Sequence, residues 1–247
     1  MTEQAAMSIE RLSKTYKNGR GVRDINLAIN RGDIFGLFGP NGSGKTTLLK
    51  LMTGLMTADE GSVRIFGQSI SEQFEGAMAH VGCVIETADA YEYMNGYANL
   101  KLASRFYRNM ASDRIYEVLE MVGLKSYSDE KVSGYSLGMK QRLALAAALL
   151  GNPKLILLDE PTNGLDIEGI IDVRNVILRL AREEKITFII SSHMMSEMEM
   201  VCSRAGILYN GQLIGEGVIE ELLAGGQTME QVYLSAIQKT REGAAHV

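Results

Sequence analysis

The segment Gly39-Pro40-Asn41-Gly42-Ser43-Gly44-Lys45-Thr46, continued by Thr47, fits the pattern G-x-x-x-x-G-K-[ST]. Those residue types at that spacing suit phosphate binding. Glycines let successive backbone N–H groups turn inward around phosphate oxygens, and a helix N-terminus adds partial positive charge. Lys45 reaches the β- and γ-phosphates, and the Thr46 hydroxyl is a ligand for Mg²⁺. A second candidate is Asp159-Glu160, at the end of the apolar run Leu155-Ile156-Leu157-Leu158. Carboxylates at the C-terminal end of a buried strand sit where α/β sheets bind ligands. Asp159 is placed to hold Mg²⁺ through water, and Glu160 to polarise an attacking water. Asp-Glu before Pro161 is also ordinary turn chemistry, and the phosphate loop upstream favours the catalytic reading. His193, in Ser191-Ser192-His193 after another apolar run, is a third candidate, although a lone histidine is usually structural.

The elements that must carry these groups read as short apolar runs. Ile34 to Phe38, Leu155 to Leu158 and Ile186 to Ile190 are continuous rather than alternating, the pattern of strands buried on both faces of a parallel sheet. Within Glu168 to Arg182, Ile170, Val173, Ile177 and Leu180 recur at helical spacing. Strands alternating with such helices imply an α/β sandwich. Ser8 to Leu12 and Val22 to Ile29 read as antiparallel strands flanking a turn at Asn18-Gly19. Residues 96–150 read as mostly helical, with breaks near Met110 and from Ser126 to Ser136. From about Gly217 the chain reads as short helices. The phosphate loop follows the strand Ile34 to Phe38 and precedes a helical run, Thr47 to Leu55, which is the context its motif requires.

Composition narrows the class. The 247 residues are enough to bury a sizeable core, and 46% apolar with 22% charged residues excludes wholesale disorder. A formal charge of −5 argues against a nucleic-acid binder, which carries a basic excess. The apolar run Leu143 to Leu150 falls far short of the roughly 20 residues a membrane span needs. Met1-Thr2-Glu3-Gln4 offers neither the basic start nor the apolar stretch of a signal peptide. Cys83 and Cys202 make no metal or redox spacing and read as two buried, reduced thiols.

A further segment discriminates among phosphate-loop proteins. Tyr135-Ser136-Leu137-Gly138-Met139-Lys140-Gln141-Arg142 resembles the signature motif L-S-G-G-Q-x-Q-R of ABC ATPases. Asn163-Gly164-Leu165-Asp166 looks like their D-loop and His193 like their switch histidine. Tyr16 resembles the aromatic that stacks on adenine, with Val22 beside the base. The resemblance runs from about Ser8 to Gly217. It implies a P-loop NTPase α/β core of ABC type with a mixed, largely parallel sheet. One ABC ATPase domain would span 1–247. Within it, 1–95 and 151–217 would form the core with an N-terminal antiparallel β subdomain. Residues 96–150 would form a helical signature subdomain, and 218–247 C-terminal helices. The implied cofactors are ATP and Mg²⁺. The implied partners are a membrane-embedded permease and a second ATPase subunit, in a homodimer or a paired heterodimer, with no nucleic acid. In such head-to-tail dimers Ser136 and Gly138 would contact the γ-phosphate bound by the partner, and Asp166 would belong to the same nucleotide site. The implied place is the cytoplasmic face of the cell membrane, reached through the permease.

Two departures stand out. Leu137 replaces the usual signature glycine. Glu86, after the strand Val81 to Ile85, stands where the family has a glutamine, and resembles the E-loop variant of lantibiotic-immunity transporters. The signature wording also resembles the bacitracin-resistance exporters. A carboxylate still ligands Mg²⁺ but adds negative charge near the γ-phosphate. The implied function is the ATP-hydrolysing motor of an exporter of antimicrobial peptide or a similar amphipathic compound. The alternative is an ABC ATPase acting on nucleic acid or ribosomes; such proteins usually carry a long coiled coil or fused ATPase units, and this chain shows no sustained heptads. A phosphate-loop kinase would lack the signature segment. Tyr91, Tyr93 and Tyr97 fall where, by the resemblance, a coupling helix of the permease docks; exposed loop tyrosines are equally ordinary.

Overall fold

The computed structural model describes residues 5–87, 89–108 and 110–244; the N-terminal Met1-Thr2-Glu3-Gln4 lies outside the described residues. The chain opens with β1 (Ala5–Thr15) and β2 (Gly21–Asn30), antiparallel to each other. Then come β3 (Ile34–Phe38), the phosphate-loop segment and α1 (Lys45–Met52). β4 (Glu60–Ile65) and β5 (Gln68–Ser69) complete a four-stranded antiparallel sheet in the order β2-β1-β4-β5. α2 (Phe74–Met78) leads to β6 (Val81–Val84). A helical stretch follows, with α3 (Gly96–Ala103), α4 (Arg114–Met121) and α5 (Leu137–Leu149). The remaining elements alternate: β7 (Leu155–Asp159), α6 (Ile167–Glu183), β8 (Thr187–Ser192), α7 (Met195–Val201) and β9 (Arg204–Tyr209). β10 (Gln212–Val218), α8 (Ile219–Leu222) and α9 (Met229–Ala244) end the fold.

The second sheet has the order β10-β9-β3-β8-β7-β6, parallel from β9 to β6, with β10 antiparallel at one edge. Its central strands explain why their sequences run apolar without alternation. Phe35, Leu37, Leu155, Leu157 and Ile189 point into one core, shared with α1 and the antiparallel sheet. Ile34, Phe38, Ile156, Leu158, Phe188 and Ile190 point into another, shared with the helices α4, α5 and α6. Each strand is pleated, so successive side chains serve opposite cores and both must be apolar.

Three details differ from the sequence reading. The chain after Gly217 is not all short helices, because α9 has 16 residues. Cys83 is exposed while Cys202 is buried, since β6 is the outer strand of its sheet. Burial pushes the Cys202 thiol up to about 12. The helix after the phosphate loop ends at Met52, with Leu55 beyond it and exposed. Among the described residues no helix is long and apolar enough to cross a membrane.

The signature helix α5 is fixed from three sides. Tyr135, just before it, is buried and donates its hydroxyl to the Tyr127 carbonyl at 2.7 Å. Lys140 pairs with Glu92, and the backbone N–H groups of Val132 and Ser133 donate to the carbonyls of Met94 and Glu92. On the sheet side, β6 approaches so closely that a Cβ at Gly82 would lie 2.5 Å from the Ala148 carbonyl oxygen. Backbone cannot yield as a flexible side chain does, so Gly82→Ala should lower stability by about 1–3 kcal/mol. Urea denaturation checks this; an unchanged midpoint would mean that α5 sits farther from β6 than described.

Candidate nucleotide site

The phosphate loop is shaped by what lies beneath it. Gly44 caps α1 with φ +110, a conformation glycine takes readily, and a Cβ there would sit 2.8 Å from Val22 Cγ1. A Cβ at Gly39 would sit 2.2 Å from the Leu208 carbonyl oxygen. The loop is therefore pressed onto β9 and β2 at its two ends, with no room for a side chain at Gly39 or Gly44. Pro40, Asn41 and Gly42 form its exposed crest, and the Pro40 carbonyl accepts from Ser43 N–H at 3.1 Å.

Lys45 is 6% exposed, and its ammonium donates to the Gly39 and Pro40 carbonyls at 2.7 and 3.3 Å. Its third partner is Glu160 Oε1 at 3.1 Å. The Ser43 hydroxyl is buried and has no hydrogen-bond partner among the described residues. A buried hydroxyl without a partner is costly unless a ligand supplies one, so this atom suits a phosphate oxygen.

The acidic wall is built by β7 and β8. Ser191, fully buried, donates its hydroxyl to Asp159 Oδ1 at 2.5 Å and accepts the Glu160 backbone N–H at 2.9 Å. One hydroxyl thus fixes both carboxylate residues. Glu160 takes φ +48, the left-handed region, which directs the chain away from the strand. Its Oε2 lies 2.7 Å from His193 Nδ1 and accepts the His193 backbone N–H at 3.3 Å. An ionised carboxylate only accepts, so Nδ1 carries the proton in this contact. Asp159 and Glu160 are unlike in setting: the first is buried against Ser191, the second bridges Lys45 and His193.

Tyr16, Asn18, Arg20, Thr46, Thr47 and Glu160 line a cleft of about 450 Å³ over the loop. Tyr16 is 37% exposed, and its hydroxyl meets Thr47 Oγ1 at 3.3 Å. An aromatic face left open beside the loop suits a flat base. Among the described residues no group of three or more His, Cys, Asp or Glu could hold a metal. Thr46 and Asp159 instead offer the few hard oxygens that Mg²⁺ needs when phosphate oxygens supply the rest.

Other expected residues fall elsewhere. Val22 is fully buried and packs beneath Gly44, so it supports the loop and does not line the cleft. Asp166 caps α6, accepting Gly169 N–H at 2.8 Å, and is not in the cleft lining. Ser136 caps α5, accepting Met139 N–H at 3.2 Å. Gly138 is buried at the crossing of α5 with α6, where a Cβ would meet Gly169 Cα at 3.2 Å. Leu137, by contrast, is 53% exposed. Glu86 shares a second cavity with Asp159 and Glu160 but is paired with Lys50 on α1. Ser191, Arg20 and Lys50 are not singled out by the sequence. Only the serine in Ser191-Ser192-His193 carries any signal, as the lead-in to the histidine.

A third cavity, about 390 Å³ and mostly apolar, lies between α3 and α5. Tyr91, Leu100, Phe106 and Leu143 line it, and Phe106 is 89% exposed. Tyr93 stacks edge-on against Tyr91, whereas Tyr97 packs on Tyr116 at 5.0 Å and is not among the lining residues.

Comparison with known proteins agrees with this geometry. Residues 22–163 match the family described as ABC transporter. Among relatives, the uncharacterized ABC transporter ATP-binding protein YhcH of Bacillus subtilis is 45% identical over 206 residues, covering 82% of this chain and 68% of that protein. The bacitracin transport ATP-binding protein BcrA of Enterococcus faecalis is 39% identical over 222 residues, covering 90% of this chain and 72% of that protein. Among solved structures, a dimeric post-hydrolysis state of the ATP-binding cassette MJ0796, bound to ADP and Pi, superposes with a TM-score of 0.75. It is 27% identical and covers 86% of this chain and 98% of the other. The chain belongs to the ABC transporter family and is one of its nucleotide-binding, ATP-hydrolysing subunits.

Proposed function

We propose that this chain powers a bacterial exporter of bacitracin-like or lantibiotic-like peptides, using Mg²⁺-ATP in a head-to-tail pair of ATPase subunits. The observation that carries the hydrolytic part is the contact of one carboxylate, Glu160, with both Lys45 and His193. The cargo class rests on the likeness to BcrA and on the signature and E-loop wording, and no residue of this chain is argued to touch cargo.

In this reading the loop from Gly39 to Thr47 holds the polyphosphate, and Tyr16 stacks on the base. Thr46 and Asp159 would hold Mg²⁺ with their oxygens, and the ion would supply charge neutralisation on the polyphosphate. Phosphate draws the Lys45 ammonium toward itself. Glu160 Oε1 is then free to accept the proton of the attacking water. His193, held by Glu160 Oε2, senses the γ-phosphate. Ser136 completes the partner's site from the N-terminus of α5, where the helix dipole favours an anion. Gly138 acts only indirectly, by letting α5 lie close on α6. Loss of the γ-phosphate removes the contact that favours the closed pair, and the pair opens.

The apolar cavity at Tyr91 and Phe106 is the docking place proposed for the permease. In this reading the ATPase works at the cytoplasmic face of the membrane through that permease.

The deciding experiment compares Glu160→Gln with wild type. The variant should bind ATP, run as a dimer in size-exclusion chromatography with Mg²⁺-ATP, and lose about 10²- to 10⁴-fold in turnover. Lys45→Ala is the control and should lose most nucleotide binding. Normal turnover in Glu160→Gln would remove the base assignment. For the docking face, Tyr91→Ser with Phe106→Ser should leave nucleotide affinity intact and abolish co-purification with the permease. A complex that still forms and transports would place the contact elsewhere.

A further inference from the structure

Glu86 is held in a way its neighbours in sequence do not explain. It is the central residue of a tight turn in which Thr87 N–H donates to the Ile85 carbonyl at 3.2 Å, with Glu86 at φ +73. Non-glycine residues rarely adopt this conformation, and an outlier of this kind points to a position fixed for a purpose. The strained turn presents the carboxylate to Lys50 Nζ, and the two atoms lie 2.5 Å apart. Lys50 is on α1, the helix that begins with Lys45. Glu86 also lines the cavity shared with Asp89, Glu92, Asp159 and Glu160. Of these carboxylates, Glu92 is paired with Lys140 and Glu160 with Lys45. Glu86 would otherwise add an uncompensated negative charge to a cavity that shares Glu160 with the nucleotide cleft.

We infer that Lys50 is a positioning residue for Glu86: it neutralises the carboxylate that this chain carries and keeps it at the rim of the nucleotide cleft. The inference rests on the phosphate-binding role of the loop. The pair is too exposed to matter much for stability, since Glu86 is 60% exposed at its side chain. Its effect is on the field in the cleft. Without Lys50, the free carboxylate repels phosphate and attracts Mg²⁺. Once Glu86→Gln has removed that carboxylate, Lys50 has no charge to offset.

A double-mutant cycle tests this with mant-ADP fluorescence, first in EDTA and then along a Mg²⁺ titration. Lys50→Gln should weaken Mg²⁺-free mant-ADP binding by about three- to ten-fold, the scale of one charge near a partly solvated cleft. It should also lower the Mg²⁺ concentration that gives half-maximal tightening. Lys50→Arg should restore wild-type behaviour. Glu86→Gln added to Lys50→Gln should return affinity to within about two-fold of wild type, because the ion pair and its neutral replacement carry the same net charge. Lys50→Ala is a second variant should the glutamine fold poorly. A double variant as weak as Lys50→Gln alone would overturn the inference, because Glu86 would then not be the charge that Lys50 offsets. Lys45→Ala binding mant-ADP as well as wild type would instead sink the loop assignment itself, so the two failures are distinct.

Discussion

A lysine ammonium that is nearly out of solvent cannot stand without acceptors, and the folded chain is arranged to supply them. Lys45 has two loop carbonyls and the carboxylate of Glu160. The first two come from its own turn. The third comes from the end of β7, a strand separated from β3 by β8 in the sheet order. Meeting that one requirement brings together the loop after β3, the end of β7 and, through Glu160, the histidine after β8. The parallel sheet matters because it delivers the carboxyl ends of these three strands to one edge.

The same requirement explains the division of labour between the two carboxylates. A residue at the end of a strand still shares the strand's register, and Asp159 pairs across to Ser191 in β8. One residue later the chain has left the ladder, and the left-handed Glu160 turns toward the loop. Ser191 holds both, giving its hydroxyl proton to one and accepting the backbone N–H of the other. Two acidic neighbours in sequence thus occupy different environments without any long-range rearrangement.

The sequence makes the scaffold legible where the cause is local. The glycines and lysine of the loop are read directly, because backbone turning and helix start depend on adjacent residues. β3, β7 and β8 are legible because burial on both faces forces apolar runs. Legibility fails where the partner is distant. Lys50 and Glu86 are separated by 36 positions, and Glu160 and His193 by 33, so neither pairing has a local signature. Cys83 reads as buried from sequence and is not, because nothing in four residues of strand reveals that the strand is outermost. Asp166 and Ser136 read toward a ligand although each also satisfies a helix end within its own chain, a need any helix imposes. Gly138 reads the same way, and its burial against Gly169 reflects helix crossing.

The split of the hydrophobic interior into two basins has a mechanical meaning. The parallel sheet is a wall between them, with α1 and the antiparallel sheet on one side and the signature-bearing helices on the other. The molecule is in this sense two gearbox halves bolted to one plate, and the strand ends that cross the plate carry the groups that meet at the lysine pocket.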